Sequence, residues 1–350
     1  MGITSLDLTH FRCHIKKEIA LSPVLTVISG ANAHGKTSML EALYMLSRGR
    51  GFREMEEKEL LTFGKEYGAV VGELVDAAGA RTESAITYQK SQHLLRKRYS
   101  LDKAPVGLVA YRRAQMPVVL FAPHHIDIIT HGPANRREFL SDVLSATHQS
   151  YAKTLREYES ALRKRNILLE SYESLSALQQ DIRFWDEYLV GRADMLTKAR
   201  AQLIQFFNEH PTFADAHIHM SYVPNVMTHE RLAEKFATEA AARRTLIGPQ
   251  KDDFVLSIQH GKEQVNAHLY ASRSQQRLCL LWLKMRELAW TYEASKRAPL
   301  LLLDDVYSEF DSTHKQLISN LIPAYQTVIT TTEELTLPAH IHQEATIVRV

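Results

Sequence analysis

Apolar and polar positions fall in short runs over the first third of the chain, repeat every three to four residues through the middle, and return to short runs towards the end. Residues 3–29 read as two strands, Ile3–Leu8 and Leu21–Ser29, around a polar connection containing Phe11-Arg12. A helical stretch, residues 38–46, ends at Gly49-Arg50-Gly51-Phe52-Arg53. Tyr67–Val75 and Thr82–Tyr88 flank Asp76-Ala77-Ala78-Gly79, a hairpin signal, and Val118–Phe121 between two prolines reads as a short buried strand. From Ala134 to about Phe207 the period is helical. Leu144, Tyr151, Leu155, Tyr158 and Leu162 share one face, and Ile182, Trp185, Leu189, Leu196, Leu203 and Phe206 share another, with Ala193 and Ala199 filling gaps. Ser171–Gln180 turns the chain between them, so the pattern predicts an antiparallel helical arm, closed by Pro211. A helix over 228–245, a pairing of Val255–Gln259 with Val265–Tyr270, a helix over Gln275–Ala294, the apolar run Leu300–Leu303 and a last strand, Thr327–Thr330, complete the pattern.

One junction in this pattern carries chemistry. The apolar run Val24–Ile28 leads into Gly30-Ala31-Asn32-Ala33-His34-Gly35-Lys36-Thr37, and Ser38 opens a helix. Strand, glycine-bounded loop and helix form the context in which G-x-x-x-x-G-K-[ST] means phosphate binding. Successive backbone N–H groups make an anion nest, and the helix adds the positive end of its dipole. Lys36 is then the cation for the β- and γ-phosphates of ATP, and the Thr37 hydroxyl a ligand of Mg²⁺. Asn32, His34 and Arg12 are expected near the nucleotide, without distinct roles.

The second half of such a site is an apolar strand ending in acids. Leu300–Leu303 followed by Asp304-Asp305 fits, and the run is expected beside the strand that feeds the loop. Asp304 would hold the metal shell and Asp305 polarise the attacking water. Some 270 residues separate the two halves, so a large insertion divides one ATPase head. Ser272-Arg273-Ser274-Gln275-Gln276, at a helix start, is placed like the turn that ABC-type ATPases offer to the γ-phosphate of a second subunit; without the other motifs a simple capping turn, with Ser272 or Ser274 as N-cap, would be the better reading. Ser308-Glu309-Phe310-Asp311 occupies the place of a loop crossing that interface. The fold class expected is α/β, an ABC-type, SMC-like P-loop head with an inserted antiparallel helical arm. Its parts are residues 1–133 (head), 134–245 (arm) and 246–350 (head).

Composition narrows the setting. At 350 residues and 45% hydrophobic the chain can bury two domains, and a net charge of +2 leaves any nucleic-acid footprint to local clusters. Those clusters are Lys90, Arg96-Lys97-Arg98, Arg112-Arg113, Arg136-Arg137 and Arg163-Lys164-Arg165. Arg96, Lys97, Arg98, Arg112, Arg113, Arg163 and Arg165 are the candidate DNA contacts; a solvated face is the alternative for each. Cys13 and Cys279 are far apart and lack metal-ligand spacing, which predicts a reducing cytosol, and no apolar run reaches about 18 residues, which predicts no membrane span.

Taken together, these motifs resemble the RecF family, bacterial recombination-mediator ATPases related to SMC proteins. The resemblance runs through Phe11-Arg12, the loop at 30–37, Gly49–Arg53, Gly132–Leu140, Leu162–Leu169, Gly248-Pro249-Gln250-Lys251-Asp252-Asp253, Ser272–Gln276, Leu301–Asp311 and Ile329–Thr332. It implies an ATP-dependent homodimer with two nucleotides between two heads, binding to duplex DNA and to duplex–single-strand junctions at gaps, and slow ATP hydrolysis. It also implies work with RecR and RecO to place RecA on DNA coated by single-strand binding protein, in repair, replication restart and SOS induction. Four positions depart from the family pattern: Ala33 and Ser274 stand for glycines, His124-His125 for acids, and Gln250 for histidine. Ala33 costs little unless its φ is positive, and Ser274 predicts slower turnover. An ABC transporter subunit, an SMC-type tether, an overcoming-lysogenisation nuclease and a P-loop kinase are the competing readings. The first needs a membrane partner, the second far longer coils, the third a further domain after Asp311, and the last leaves the arm unexplained.

Overall fold

The fold is described from a computed structural model, which covers residues 1–53, 57–91, 94–261, 263–309, 312–332 and 345–350. The chain divides into two compact units, Met1–His124 with Thr291–Val350, and His125–Trp290.

In the first unit, strands β1 (Gly2–Phe11), β2 (His14–Ala20), β3 (Leu25–Ser29) and helix α1 (Lys36–Arg48) come first. Next are β4 (Tyr67–Val75), β5 (Arg81–Ser91), β6 (Leu94–Leu101), β7 (Ala104–Val106), α2 (Leu108–Ala114) and β8 (Val118–Phe121). The polar connection expected around Arg12 is therefore a hairpin. Arg12 turns at φ 51°, and β2 pairs with β1 from Phe11↔His14 to Ser5↔Ala20. The predicted Tyr67–Val75 hairpin is present. Asp76 Oδ1 accepts from the N–H groups of Ala78 and Ala80 at 2.8 and 2.9 Å, and Gly79 supplies φ 84°.

The second unit holds α3 (Asp127–Thr130), α4 (Pro133–Thr147), α5 (Gln149–Ser171), α6 (Leu175–Asn208), β9 (Thr212–Phe213) and β10 (Ala216–Val223). It continues with α7 (His229–Ala242), β11 (Asp253–His260), β12 (Glu263–Asn266) and α8 (Arg273–Ser295), whose last turn belongs to the first unit. The first helical stretch breaks at His148, which the periodicity did not mark. α5 and α6 run antiparallel: Arg165 bonds Asp186, Arg192 bonds Glu157, and Arg200 bonds Tyr151. Their turn is only residues 172–174, because Ser174 Oγ accepts from the Ala177 N–H and caps α6. The boundary expected at 245/246 does not coincide with a division of the chain. β10 and β11 pair antiparallel from Ile218↔Ile258 to Val223↔Asp253, so one sheet, β12-β11-β10-β9, spans it.

Back in the first unit, β13 (Leu300–Asp304), α9 (Val306–Glu309), α10 (Ser312–Ser319), β14 (Thr327–Thr331) and β15 (Thr346–Arg349) follow. Two sheets result, an antiparallel β2-β1-β4-β5-β6-β7 and a sheet ordered β15-β3-β14-β13-β8 whose pairings are all parallel. In the second sheet β3, β14, β13 and β8 are buried along their whole length, as a sheet covered on both faces requires. This order corrects one expectation. Leu300–Leu303 does not lie beside the loop strand, because β14 pairs with β3 on one edge (Thr327↔Leu25) and β13 on the other (Leu301↔Thr327). The core joins β1 (Leu6, Leu8), α1 (Met39, Leu40, Leu43) and the parallel strands (Leu302, Val328). α1 is accordingly buried on nearly all sides from Lys36 to Leu46, Thr37 excepted.

Candidate nucleotide site at the phosphate loop

The loop sits at the carboxyl end of β3. Ala31 to His34 are exposed, whereas Lys36 is buried by the helix it starts. Its ammonium donates to the carbonyls of Gly30 and Ala31, both at 2.8 Å, and so ties the two ends of the loop together. Gly35 turns at φ 86°, and a Cβ there would stand 2.5 Å from both Cys13 Sγ and the His14 ring; no residue but glycine fits. His14 Nε2 lies 3.1 Å from the Gly35 carbonyl, and burial pulls the His14 pKa down. Ala33 has φ 66°, so the condition under which alanine becomes costly is met: the left-handed region disfavours a side chain by roughly 1 kcal/mol. His34 Nδ1 faces the Val350 carbonyl at 3.3 Å, and the same carbonyl leaves no room for a Cβ on Gly30.

The two halves of the motif meet although 267 positions separate them. Thr37 Oγ1 donates to Asp304 Oδ1 at 2.8 Å, and Thr330 Oγ1 donates to the same oxygen at 2.8 Å. Thr330 belongs to the strand between, so β14 supplies a hydroxyl that holds the Asp304 carboxylate at the sheet end. The Thr330 hydroxyl also accepts from the Asp305 N–H at 3.0 Å. Asp305 takes φ 50°, a conformation aspartate tolerates and most residues do not, and this turns the chain sharply after the buried strand. A threonine hydroxyl and a carboxylate oxygen in contact are an all-oxygen donor set of the kind Mg²⁺ takes.

Below the loop lies an ion cluster that the motifs did not reveal. Glu41, on α1, is wholly buried. It accepts from Arg12 Nε and Nη2 at 2.9 and 2.8 Å, and from Arg53 Nη2 and N–H at 2.7 and 3.1 Å. Burial alone pushes this carboxyl up; the hydrogen bonds from Arg12 and Arg53 outweigh it and hold it below its ordinary value. Arg53 also donates to Ser38 Oγ at 3.3 Å, which links the cluster to the residue after Thr37. The signal available in the sequence was one carboxylate inside the apolar run Met39-Leu40-Glu41-Ala42-Leu43. His124 stacks on Phe52, ring centroids 6.4 Å apart.

In the second unit, Ser272, Ser274 and Gln275 stand at the start of α8. Ser272 and Gln275 form a capping box: the Gln275 N–H donates to Ser272 Oγ at 3.3 Å, and the Ser272 N–H to Gln275 Oε1 at 2.9 Å. The capping reading of this turn is thus correct for its local geometry, and Ser272 and Ser274 stay exposed at a helix N-terminus. The Gly248–Asp253 motif is a buried hub. Asp252 accepts from Arg200 at 2.8 Å, from the Tyr222 hydroxyl and from the Asn225 N–H, while Arg136 pairs with Asp253. Gln250 accepts from the Tyr158 hydroxyl and donates to the Ile247 carbonyl. Phe310 and Asp311 of the expected interface loop lie outside the described residues.

The basic clusters separate. Arg96 and Arg98 are exposed on one face of β6 and Lys97 half-buried on the other; β7 pairs only with Tyr99–Leu101, so 94–98 are an edge. Arg112 and Arg113 are exposed, Arg112 Nε donating to the Arg48 carbonyl. Arg163 is exposed, whereas Arg165 is not a DNA contact: it is 0% exposed, paired with Asp186 at 2.6 Å and Glu239 at 2.8 Å. It falls on the same face as Tyr158, Ala161 and Leu169, which the helical period turns inward.

A parallel sheet with a phosphate loop on one strand, an aspartate bonded to it from another, and a helical unit inserted between them defines an SMC-like, ABC-type P-loop ATPase head. The family model described as RecF/RecN/SMC N terminal domain matches residues 2–346. The DNA replication and repair protein RecF of Moorella thermoacetica is 32% identical, covering 99% of this chain and 94% of its own length; that of Cyanothece is 29% identical, covering 95% and 92%. The structure of the recombination mediator protein RecF-ATP in the RecFOR pathway superposes with a TM-score of 0.83 at 25% identity, covering 95% of this chain and 92% of that one. The Smc head of Pyrococcus furiosus shares the fold, with a TM-score of 0.54 at 14% identity. The chain belongs to the RecF family of DNA replication and repair ATPases. Among the described residues no helix is long and apolar enough to cross a membrane.

Proposed function

We propose that the chain is an ATP-operated DNA clamp of the recombination-mediator type. The observation that carries this reading is the 2.8 Å bond between Thr37 and Asp304, which brings the loop and the acidic strand to one point. Lys36 and the loop N–H groups would hold the phosphates, and Thr37 with Asp304 the Mg²⁺ shell. When bound, the magnesium nucleotide supplies the anhydride to be cleaved and a γ-phosphate exposed to a second subunit. Asp305 orients the attacking water and takes up its proton. Ser272 of the second head, at the N-terminus of its helix, completes the contact in trans. A closed homodimer is favoured because only it makes both sets of contacts, and hydrolysis releases it.

The DNA partner of this reading is duplex and gapped DNA, met by Arg96, Arg98, Arg112, Arg113 and Arg163. Weak, DNA-stimulated turnover fits a switch rather than a motor. RecO and RecR, and through them RecA and single-strand binding protein, are the protein partners that the RecFOR setting of its structural relative suggests, in the cytoplasm. The test is a pair of variants. Lys36→Met abolishes ATP-dependent dimerisation, whereas Asp305→Asn binds ATP and traps the dimer. An Asp305→Asn protein with normal turnover removes Asp305 from the water-orienting role. Ser274→Gly speeds dimer-dependent hydrolysis; an unchanged rate ends that explanation of slow turnover.

A further inference from the structure

Thr330 occupies a position in β14 where a buried strand would ordinarily carry an aliphatic side chain. It is 1% exposed, its neighbours Val328 and Ile329 are 0% exposed, and β14 lies between the loop strand and the acidic strand. The register sets Thr330 level with Ile28 on one side and Asp304 on the other. A buried hydroxyl costs free energy unless it is hydrogen-bonded, and this one is used twice. Its hydrogen goes to Asp304 Oδ1 at 2.8 Å, and its oxygen accepts from the Asp305 N–H at 3.0 Å. That N–H also reaches the Thr330 carbonyl at 3.2 Å, a contact any residue at 330 would keep. What the side chain alone supplies is the bond to the carboxylate. Asp304 Oδ1 thus receives two hydroxyls, from Thr37 and from Thr330, while Oδ2 has no hydrogen bond among the described residues.

We propose that Thr330 is a positioning residue of the metal site: its hydroxyl pins one oxygen of Asp304 and leaves the other for the Mg²⁺ shell. The two donors on Oδ1 are not equivalent. Thr37 stands at the end of the exposed loop, in the first turn of α1, and its own oxygen is the one assigned to the metal. Thr330 belongs to a strand buried along its whole length and takes no part in the loop, so its bond need not change when the loop fills. The last torsion of an aspartate is broad and nearly two-fold, so a carboxylate held by nothing rigid presents either oxygen. One hydrogen bond from a fixed strand decides which. Partners of this kind behind a metal ligand typically change metal affinity by about 10–100-fold. The competing explanation is that the hydroxyl merely satisfies a carboxylate that is 8% exposed; that role bears on stability and not on the metal requirement.

The proposal rests on reading the loop and Asp304 as a site for ATP with Mg²⁺, and its test needs neither DNA nor turnover. The full chain is titrated with an anthraniloyl-labelled, non-hydrolysable ATP analogue, first in EDTA and then over a range of Mg²⁺ concentrations, with the melting temperature recorded beside it. Thr330→Val keeps the shape of the side chain and removes the hydroxyl, whereas Thr330→Ser keeps the hydroxyl. In EDTA, where Lys36 and the loop alone hold the phosphates, wild type and Thr330→Val bind the analogue equally. The Mg²⁺ concentration at the midpoint of the tighter, metal-dependent binding rises on the order of tenfold in Thr330→Val and returns to within about twofold of wild type in Thr330→Ser. An unchanged midpoint, with or without a lower melting temperature, overturns the proposal, as does a raised midpoint that Thr330→Ser does not restore. Weaker binding in EDTA as well, the behaviour expected of Lys36→Met, also overturns it, since the defect then lies in the loop. A wild type with no metal-dependent step removes the metal-site reading itself; a wild type with that step, matched by Thr330→Val, removes the role of Thr330 alone.

Discussion

Glu41→Gln tests whether the buried ion cluster under the phosphate loop holds the head together. The substitution keeps the side chain's size and removes its charge. Two guanidinium groups then face each other without the carboxylate that accepts three of their hydrogen bonds and a fourth from the Arg53 backbone N–H, and the new amide N–H₂ points at donors. Removing one partner of a buried ion pair costs about 3–5 kcal/mol. The Arg53 side chain is 38% exposed and can rehydrate, so the lower end applies, about 3 kcal/mol. For a unit of this size that is a fall in Tm of about 6–12 °C. Calorimetry of the full chain at neutral pH reads it directly. The pH dependence gives a second reading. Glu41 has its pKa lowered in the folded state, so its contribution is present above the ordinary carboxylate value and fades as pH falls through the lowered one. The gap between wild type and Glu41→Gln therefore holds at neutral pH and closes below about pH 4.5. A variant melting within about 2 °C of wild type, or a gap that stays constant in acid, refutes the reasoning.

Ala33→Gly relieves a left-handed alanine and gains about 0.5–1 kcal/mol, less than the full strain because glycine also loosens the unfolded chain; urea unfolding shows it as a higher midpoint with unchanged slope, and a lower midpoint contradicts it. Arg165→Ala destabilises the second unit by about 3 kcal/mol, by stranding Glu239 and Asp186, and leaves the salt slope of DNA binding unchanged. Arg96→Ala with Arg98→Ala leaves stability alone and lowers that slope by about 1.8, two phosphate contacts at ~0.9 each; binding measured at several salt concentrations separates the two cases. Cys279, its thiol pushed up to about 12 by burial, resists a disulfide reagent in the native state, while exposed Cys13 reacts. Two thiols titrating at equal rates would show that the core opens.

What could be read from the chain and what could not divides along physical lines. The loop and the acids were legible because their chemistry fixes residue types in order, and the hairpin at Asp76–Gly79 because turn geometry does the same. β2 was not legible: of its seven residues only Ile19 is buried, so an edge strand bearing Lys16, Lys17 and Glu18 has no alternation to show. Nor was the place of β14 between β3 and β13, although the strand itself was read, since strand order depends on which edges pair and not on any residue's type. The sign of φ at Ala33 belongs to the loop's closure. Arg165 could have been found: in the run Arg163-Lys164-Arg165, helical spacing from Tyr158 and Ala161 already turns that third residue inward. A charge run was read as one face where a helix presents several.

The measurement closest to the central claim is fluorescence anisotropy of a labelled gapped duplex with ATP, with ADP and without nucleotide, at two salt concentrations, beside a Lys36→Met control. Tight binding with ATP alone, weakened by salt and lost in the variant, is the result predicted for a clamp closed by the site at Lys36, Thr37 and Asp304. Binding that is the same in all three nucleotide states, or that survives Lys36→Met, would contradict it and uncouple the DNA surface from the phosphate loop.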